Sequence, residues 1–144
     1  MRSLDKQFTY RLKVISKLSD IESNRFYQKE CGLNLAQTRT LATVGTFEPL
    51  SINLLAQSAI LDKSQASRAA KEMVELGFIN KTRNEDDERG ISLTLTPKGK
   101  KLFNKVVEAI ELRNKKILEP LSAEEVKTLD HLLDKMVSNV AIDA

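Results

Sequence analysis

The stretch from Ile52 to Leu76, INLLAQSAILDKSQASRAAKEMVEL, contains the pattern that decides the fold. Its first part is a short apolar run that ends near Ala59. Its second part begins at Asp62, where Gln65 follows three residues on in the spacing of a capping box. Because only a few residues separate the two parts, we predict two helices joined by a tight turn, with Gly77 ending the second.

The second helix of this pair has two contrasting sides. At about 100° per residue, one side is small and apolar and consists of Ala66, Ala69, Ala70 and Met73. The other side collects Ser64, Ser67, Arg68, Lys71 and Glu75. Serine weakens a helix but fits closely against base edges and phosphates, so this side is typical of a helix that contacts nucleic acid. The alternative is a surface helix whose serines have no role.

Two strand-like runs follow this helix. Ile91, Leu93 and Leu95 alternate with polar residues, which predicts a half-buried strand, and the stretch FINKTR at 78–83 is its natural partner. The loop between them, RNEDDERG at 83–90, has four consecutive acids between two arginines. A short helix, a turn, a second helix and a hairpin form a winged helix-turn-helix, whose second helix enters the major groove of DNA.

Helical patterns occupy both ends of the chain. Apolar residues recur every three or four positions from Leu4 to Ile21, which predicts a first helix over about residues 4 to 29. Cap-like pairs mark the starts of three further helices: Asn34 with Gln37, Thr96 with Pro97, and Ser122 with Glu125. The first of these three is expected to stop at Gly45. The predicted fold class is mainly α (α+β), with a two-stranded hairpin.

Composition limits the alternatives. A chain of 144 residues is expected to form a single domain. Lys and Arg exceed Asp and Glu by 23 to 20 without forming a basic block, so any recognition of an anionic partner must be local. The first residues lack the apolar core of a signal peptide, and no apolar run approaches the about 18 residues of a membrane span. We therefore expect a soluble, cytoplasmic protein with no membrane partner.

Motifs for catalysis or metal binding are weak. The sequence has no G-x-S-x-G, no phosphate-binding glycine loop and no carboxylate pair at catalytic spacing. His131, flanked by Asp130 and Asp134, is more typical of a surface residue than of a metal ligand. Cys31 is predicted to lie in the loop after the first helix, as an inert thiol or, alternatively, a redox sensor. We predict neither enzyme activity nor a cofactor.

Residues 52–102 resemble the MarR family of bacterial transcriptional regulators, and the resemblance extends loosely over nearly the whole chain. Its most specific part is Asp87-x-Arg89, followed by the alternating strand and Thr96-Pro97-Lys98-Gly99. Lys63-Ser64, Ser67-Arg68 and Leu76-Gly77 also match. The resemblance implies a homodimeric winged-helix repressor that leaves its operator when a small molecule or an oxidant binds. It also implies that Asp87 braces Arg89 for the minor groove, although Ser92 stands where many members carry a basic residue.

These observations predict a DNA-binding surface. Its helix residues are Lys63, Ser64, Gln65, Ser67, Arg68 and Lys71, and its loop residues are Asp87 and Arg89. Residues 34–99 would form the winged helix lobe of a single domain, 1–144. The ends, 1–33 and 100–144, carry more apolar residues than that lobe can cover, so we expect a helical dimerisation lobe in which two chains interleave.

The predicted function is repression of a palindromic operator on double-stranded DNA, relieved by a small-molecule effector. Arg11 and Arg39 are candidates for holding an anionic, for example aromatic, effector, although Arg39 is equally compatible with a structural role. The modest net charge and the acidic loop leave an alternative, a winged-helix protein-interaction module that does not bind DNA. A small enzyme or a metal sensor has the least support.

Overall fold

The structure, a computed structural model, describes residues 1–83 and 90–140. A short 3-10 turn, Leu4–Lys6, precedes the first α-helix. The elements that follow are α1 (Phe8–Cys31), α2 (Leu35–Phe47), α3 (Ile52–Ser58), α4 (Lys63–Glu75), β1 (Ile79–Arg83), β2 (Ile91–Leu95), α5 (Pro97–Ile117) and α6 (Ala123–Asn139). The chain divides into two compact units, 1–111 and 112–144. The predicted helical fold with one antiparallel hairpin is confirmed.

Local capping signals determine where the helices begin. Capping boxes form at the three predicted pairs: Asn34 with Gln37, Asp62 with Gln65, and Ser122 with Glu125. In each pair the side chain of the first residue accepts a hydrogen bond from the backbone N–H of the second residue. The side chain of the second residue accepts one from the backbone N–H of the first. Pro97 is the first residue of α5, as predicted.

The core of the first unit lies between α2, α3, α4 and the hairpin. The apolar side of α4 is buried as predicted, and Met73 has no exposed surface. Around it pack side chains from the neighbouring elements, which include Leu41, Val44, Leu55, Ile79, Leu93, Leu95 and Val106. The three alanines of α4 are small enough to let its backbone approach these neighbours closely. This packing fixes α4 on one side and leaves its polar side free.

A β-bridge that the sequence did not predict ties the helices to the hairpin. The N–H of Leu93 donates to the carbonyl of Leu50 at 2.8 Å, and the N–H of Leu50 donates back at 3.3 Å. Leu50 lies just before α3, so this bridge anchors the start of the helix-turn-helix to β2.

Two predictions about the ends of helices were wrong. Gly45 does not end α2, which continues to Phe47 with Gly45 inside it. A Cβ at this position would overlap the ring of Phe103, so Gly45 is required for the close approach of α5 to α2. Cys31 is the last residue of α1 rather than part of the loop, and Gly32 is the left-handed residue that ends this helix.

The TPKG stretch at 96–99 braces the junction between α4 and the hairpin. The hydroxyl of Thr96 donates to the carbonyl of Gly77 at 2.7 Å and accepts the N–H of Gly99 at 2.9 Å. The ammonium of Lys98 lies 4.7 Å from the centre of the Phe78 ring. A Cβ at Gly99 would overlap the carbonyl of Phe78, so only glycine fits this close contact. The stretch therefore holds the base of the hairpin against the end of α4.

The apolar stripe of α1 is exposed in the single chain. Of its 24 residues only Ser23 and Tyr27 are buried, whereas the predicted stripe is exposed: Phe8, Leu12, Ile15, Leu18 and Ile21. In α6 no residue is buried, and its exposed apolar residues include Leu132, Leu133, Met136 and Val137. Among the described residues, no helix has the length and apolar character to cross a membrane.

Candidate nucleic-acid interface

A tight turn sets the start of α4. Ile60 is left-handed, with φ of +53°, and the N–H of Leu61 donates to the carbonyl of Ala56 at 2.9 Å. This hydrogen bond is the one that defines a Schellman motif, in which glycine is the usual left-handed residue. Asp62 then caps α4, because its carboxylate accepts the N–H of Gln65 at 2.7 Å. The chain thus leaves α3 and enters α4 within the four residues 59–62.

The predicted polar side of α4 faces solvent. All six helix residues predicted to bind DNA are exposed: Lys63, Ser64, Gln65, Ser67, Arg68 and Lys71. Gln65 has a second role, since its carboxamide oxygen accepts the N–H of Asp62 at 3.2 Å. This oxygen is engaged in capping the helix, so the side-chain amide of Gln65 is the part left for a contact with DNA. The other five side chains have no such capping role within the described part of the chain.

Within the described part of the chain, a depression lies on each side of this polar surface. Lys63 and Ser67 line a cleft of about 320 Å³ toward the hairpin, together with Ser51, Ile52, Asn53, Lys81 and Ile91. Gln65 and Arg68 line a smaller depression of about 180 Å³ toward α2, together with Asn34, Ala36, Gln37, Ala69 and Glu72. Ser64 and Lys71 line neither and stand on the ridge between them. The helix therefore offers one central ridge with a different chemical surface on each flank.

The cleft toward the hairpin favours an anion. Of its lining residues within 1–83 and 90–140, two are lysines, one from α4 and one from β1, and none is acidic. Among the described residues, no carboxylate forms an ion pair with Lys63, Lys71 or Lys81. Hydroxyl and amide groups of Ser67 and Asn53 add uncharged hydrogen-bond donors. Ammonium and hydroxyl donors without a competing acid are suited to phosphate oxygens.

The depression toward α2 has a different character. The side-chain amide of Gln37 donates to the carboxylate of Glu72, which ties the start of α2 to α4. Arg68 lies one helical turn before Glu72 and lines the same depression. Its guanidinium has no ion-pair partner within the described part of the chain. Arg68 is therefore available for bidentate contact with a base or a phosphate.

The two predicted loop residues, Asp87 and Arg89, lie outside the described residues. The strand that follows them, β2, lies within the described residues. Ser92 is half-buried and pairs with Thr82, whose hydroxyl donates to the Ser92 carbonyl at 3.4 Å. The bracing of Arg89 by Asp87 stays a prediction from the resemblance.

The two candidate effector residues do not converge within one chain. The guanidinium of Arg39 donates to the carboxylate of Asp20 at 3.0 Å, which joins α2 to α1. Arg11 is exposed and lies nine residues before Asp20 on α1. This separation corresponds to about 13 Å along the helix and to roughly half a turn around it. Arg39 thus has the structural role that the sequence left open, and an effector role for either arginine stays a prediction.

The thiol of Cys31 is not activated in this structure. Burial raises its pKa above the usual value, an effect opposed by the nearby charge of Lys105 and reinforced by that of Glu30. A raised pKa lowers the fraction of reactive thiolate. Within residues 1–83 and 90–140, no three His, Cys, Asp or Glu side chains cluster in a way that could hold a metal ion, and this includes His131.

The sequence pattern did not single out Lys81 or Asn53, both of which line the cleft beside Lys63. A signal for Lys81 was present in the alternation of β1. Residues two apart on a strand point to the same face, so Lys81 lies on the face of buried Ile79 and opposite buried Leu93. Asn53 had no comparable signal, because one asparagine on a short helix is common.

Comparisons with known proteins agree with this architecture. A family model described as transcriptional regulator SarA/Rot matches residues 24–106. The HTH-type transcriptional regulator BilQ of Clostridium symbiosum is 30% identical over 133 residues, which cover 92% of this chain and 92% of that protein. The crystal structure of the transcriptional regulator SlyA is similar with 26% identity, a TM-score of 0.82 and coverage of 94% of each chain. The MarR/EmrR family regulator from Acinetobacter sp. ADP1 gives 22% identity, a TM-score of 0.84 and coverage of 97% of this chain and 99% of that chain.

The family match runs from the last part of α1 to the start of α5, so it includes α4 and the hairpin of the candidate interface. The match to BilQ extends over nearly the whole chain, and the matched proteins are regulators rather than enzymes. The resemblance seen in the sequence is therefore confirmed. The chain belongs to the SarA/Rot family of MarR-type winged helix-turn-helix transcriptional regulators, which bind DNA.

Proposed function

We propose that this regulator is a homodimeric repressor that reads a palindromic operator through α4 and leaves it when a small anionic molecule binds. The exposed polar side of α4 carries the proposal. It combines Ser64, Arg68 and Lys71, none of which has an ion-pair partner or a capping role among the described residues. Short hydroxyl side chains permit close approach to the floor of the major groove, and the arginine can form two hydrogen bonds to a guanine.

The exposed apolar stripe of α1 supports the dimer. Residues such as Leu12, Ile15 and Leu18 lie at helical spacing on one side of α1 and are more than half exposed. A contiguous apolar surface of this kind is unfavourable in water and typical of an interface with another protein. A second copy of the chain covers it by twofold symmetry, which presents two copies of α4 to one face of a duplex. The operator is then an inverted repeat with half-sites about 10 base pairs apart.

Release from DNA requires an effector that prefers one spacing of the two α4 helices. A ligand shifts such an equilibrium only by the difference between its affinities for the two states. Arg11 is the better of the two candidates for holding an anionic effector, because the guanidinium of Arg39 is already paired with Asp20. An effector that binds near α1 acts at the surface proposed for dimerisation and so alters that spacing directly.

Fluorescence anisotropy tests the proposal. The labelled duplex carries the DNA immediately upstream of the protein's own gene, and the control is a scrambled duplex of the same length and composition. We expect the upstream duplex to bind about a thousandfold more tightly at moderate salt, with two chains per duplex. Equal binding of both duplexes would contradict specific recognition. Recovery of a stoichiometric protein partner without any DNA binding would support the protein-interaction module instead.

A further inference from the structure

The cleft between α4 and the hairpin contains a cation whose position is unusual for its strand. Lys81 lies on the inner face of β1, where alternation places Ile79 before it, and it pairs across the hairpin with Leu93. Ile79 and Leu93 are buried, whereas Lys81 is exposed. An ammonium group on the apolar face of a hairpin must reach water or an anion, because its burial without a partner is costly.

The Lys81 side chain reaches the cleft that Lys63 and Ser67 of α4 also line. Ile91, which faces the same side of the hairpin, forms part of the wall. Two ammonium groups from separate elements thus border one space of about 320 Å³ that the Ser67 hydroxyl also lines, and none of the lining residues within 1–83 and 90–140 is acidic. An anion held between the two lysines is attracted by both positive charges.

We propose that Lys63, Ser67 and Lys81 form one binding site for a single phosphate of the DNA backbone. The inference rests on the proposed DNA binding and adds to it a site that joins α4 to β1. A phosphodiester has two free oxygens and one negative charge, so one oxygen accepts from each lysine and the hydroxyl donates to either. The bound phosphate fixes the hairpin relative to α4, and this sets the angle at which the hairpin meets the adjacent groove.

The salt dependence of binding distinguishes one shared phosphate from two separate ones. Binding to a random-sequence duplex is measured over a range of NaCl concentrations for wild type, Lys63→Ala, Lys81→Ala and the double variant. The slope of log K against log salt changes by about 0.9 for each phosphate contact that is lost. For a shared phosphate, the double variant loses about 0.9 in slope and each single variant loses less. Two independent contacts would give about 0.9 for each single variant and about 1.8 together, which would overturn the proposal.

Two control variants isolate the geometry from the net charge. Lys81→Arg keeps a cation in the cleft, and its slope is expected to match wild type. Lys135→Ala removes one exposed charge from α6, which does not line the cleft, and no change in slope is expected. If Lys135→Ala reduced the salt slope as much as Lys81→Ala does, net charge would explain the effect, and the proposal would be overturned.

Free inorganic phosphate is an alternative ligand for the same three side chains, because it presents the same kind of oxygen atoms. Calorimetric titration of DNA-free protein with inorganic phosphate, at constant ionic strength, tests this alternative. If the variants lose phosphate binding while their DNA salt slopes are unchanged, the site serves free phosphate and the assignment to DNA is overturned. The random-sequence duplex separates this question from operator recognition, since absence of specific recognition leaves the salt slopes measurable.

Discussion

At the scale of single residues, the exposed residues of α4 border different neighbours, which the sequence alone does not reveal. Ser64 and Lys71 occupy the ridge, Arg68 borders α2, and Lys63 with Ser67 borders the hairpin. On a helical projection all five belong to one polar face. They differ in their surroundings because α2 packs beside one edge of this face and β1 beside the other. That arrangement depends on the tertiary packing of the chain. The sequence therefore predicts the face but not its parts.

Arg68→Ala is expected to weaken operator binding by about 1 to 3 kcal/mol and to relax sequence preference, because a bidentate contact with a base is lost. Affinity for the operator and for a set of its single-base variants measures both effects. Lys71→Ala is the matched control from the same exposed face, and its loss is expected to be similar for all duplexes. If Arg68→Ala weakened every duplex equally, its role would be limited to the phosphate backbone.

Thr40 is fully buried in α2, and its hydroxyl has no hydrogen-bond partner among the described residues. Valine has nearly the same shape without the polar group. We therefore expect Thr40→Val to raise the free energy of unfolding by about 1 kcal/mol, measured by urea denaturation. Thr38→Val is the control, because the hydroxyl of Thr38 donates to the carbonyl of Asn34 at 2.8 Å. If both valine variants lost stability equally, the claim that the Thr40 hydroxyl is buried without a hydrogen-bond partner would be contradicted.

Effector residues were the hardest to predict at this scale. The partner of Arg39, Asp20, is 19 residues away in the sequence and meets it only because α1 packs on α2. No local pattern distinguishes an arginine held by such a contact from one that is free for a ligand. Arg11, by contrast, is exposed on the opposite side of α1 from Asp20.

At the scale of elements, the accuracy of prediction from sequence depended on whether a signal was local. Capping boxes involve residues three apart, so Asp62 with Gln65 predicted the start of α4 correctly. The role of Gly45 depends on Phe103, which is far away in sequence, and the local pattern could not distinguish a helix end from a packing contact. For the same reason the bridge between Leu50 and Leu93 was missed.

The turn before α4 gives a testable feature of an element. Ile60 is 82% exposed and adopts a left-handed conformation, which costs a β-branched residue about 1 to 2 kcal/mol. Because glycine takes this conformation readily but loses more entropy on folding, we expect Ile60→Gly to stabilise the fold by about 1 kcal/mol. Thermal and urea denaturation measure the change, with Ile60→Val as the control that keeps the strain. A less stable glycine variant would show that the Ile60 side chain makes a favourable contact.

At the scale of the whole molecule, the feature that needs explanation is the apolar surface left on α1. The apolar stripe of α1 from Phe8 to Ile21 is exposed, as the sequence predicted. The same expectation for α5 was wrong in part, because Val106 of α5 packs into the core of the first unit. The boundaries of the dimerisation lobe, 1–33 and 100–144, stay a prediction because they describe an assembly of two chains. The single chain divides into its two compact units between residues 111 and 112.

Leu18→Glu is expected to weaken self-association at least about a hundredfold, because each dimer would bury two unpaired carboxylates. Sedimentation equilibrium over a range of protein concentrations measures the dissociation constant. Leu54→Glu is the matched control, since Leu54 on α3 is exposed to a similar degree but belongs to the winged helix lobe. If Leu18→Glu and Leu54→Glu both weakened the dimer, or if neither did, α1 would not be the dimer interface.

The central claim is that two copies of α4, related by a twofold axis, read consecutive turns of one duplex. Selection of bound duplexes from a random-sequence library tests it for any operator sequence. We predict enrichment of an inverted repeat with half-sites about 10 base pairs apart, and a changed consensus when Arg68→Ala replaces wild type. Enrichment of a single unrepeated site, or no enrichment at all, would contradict the claim.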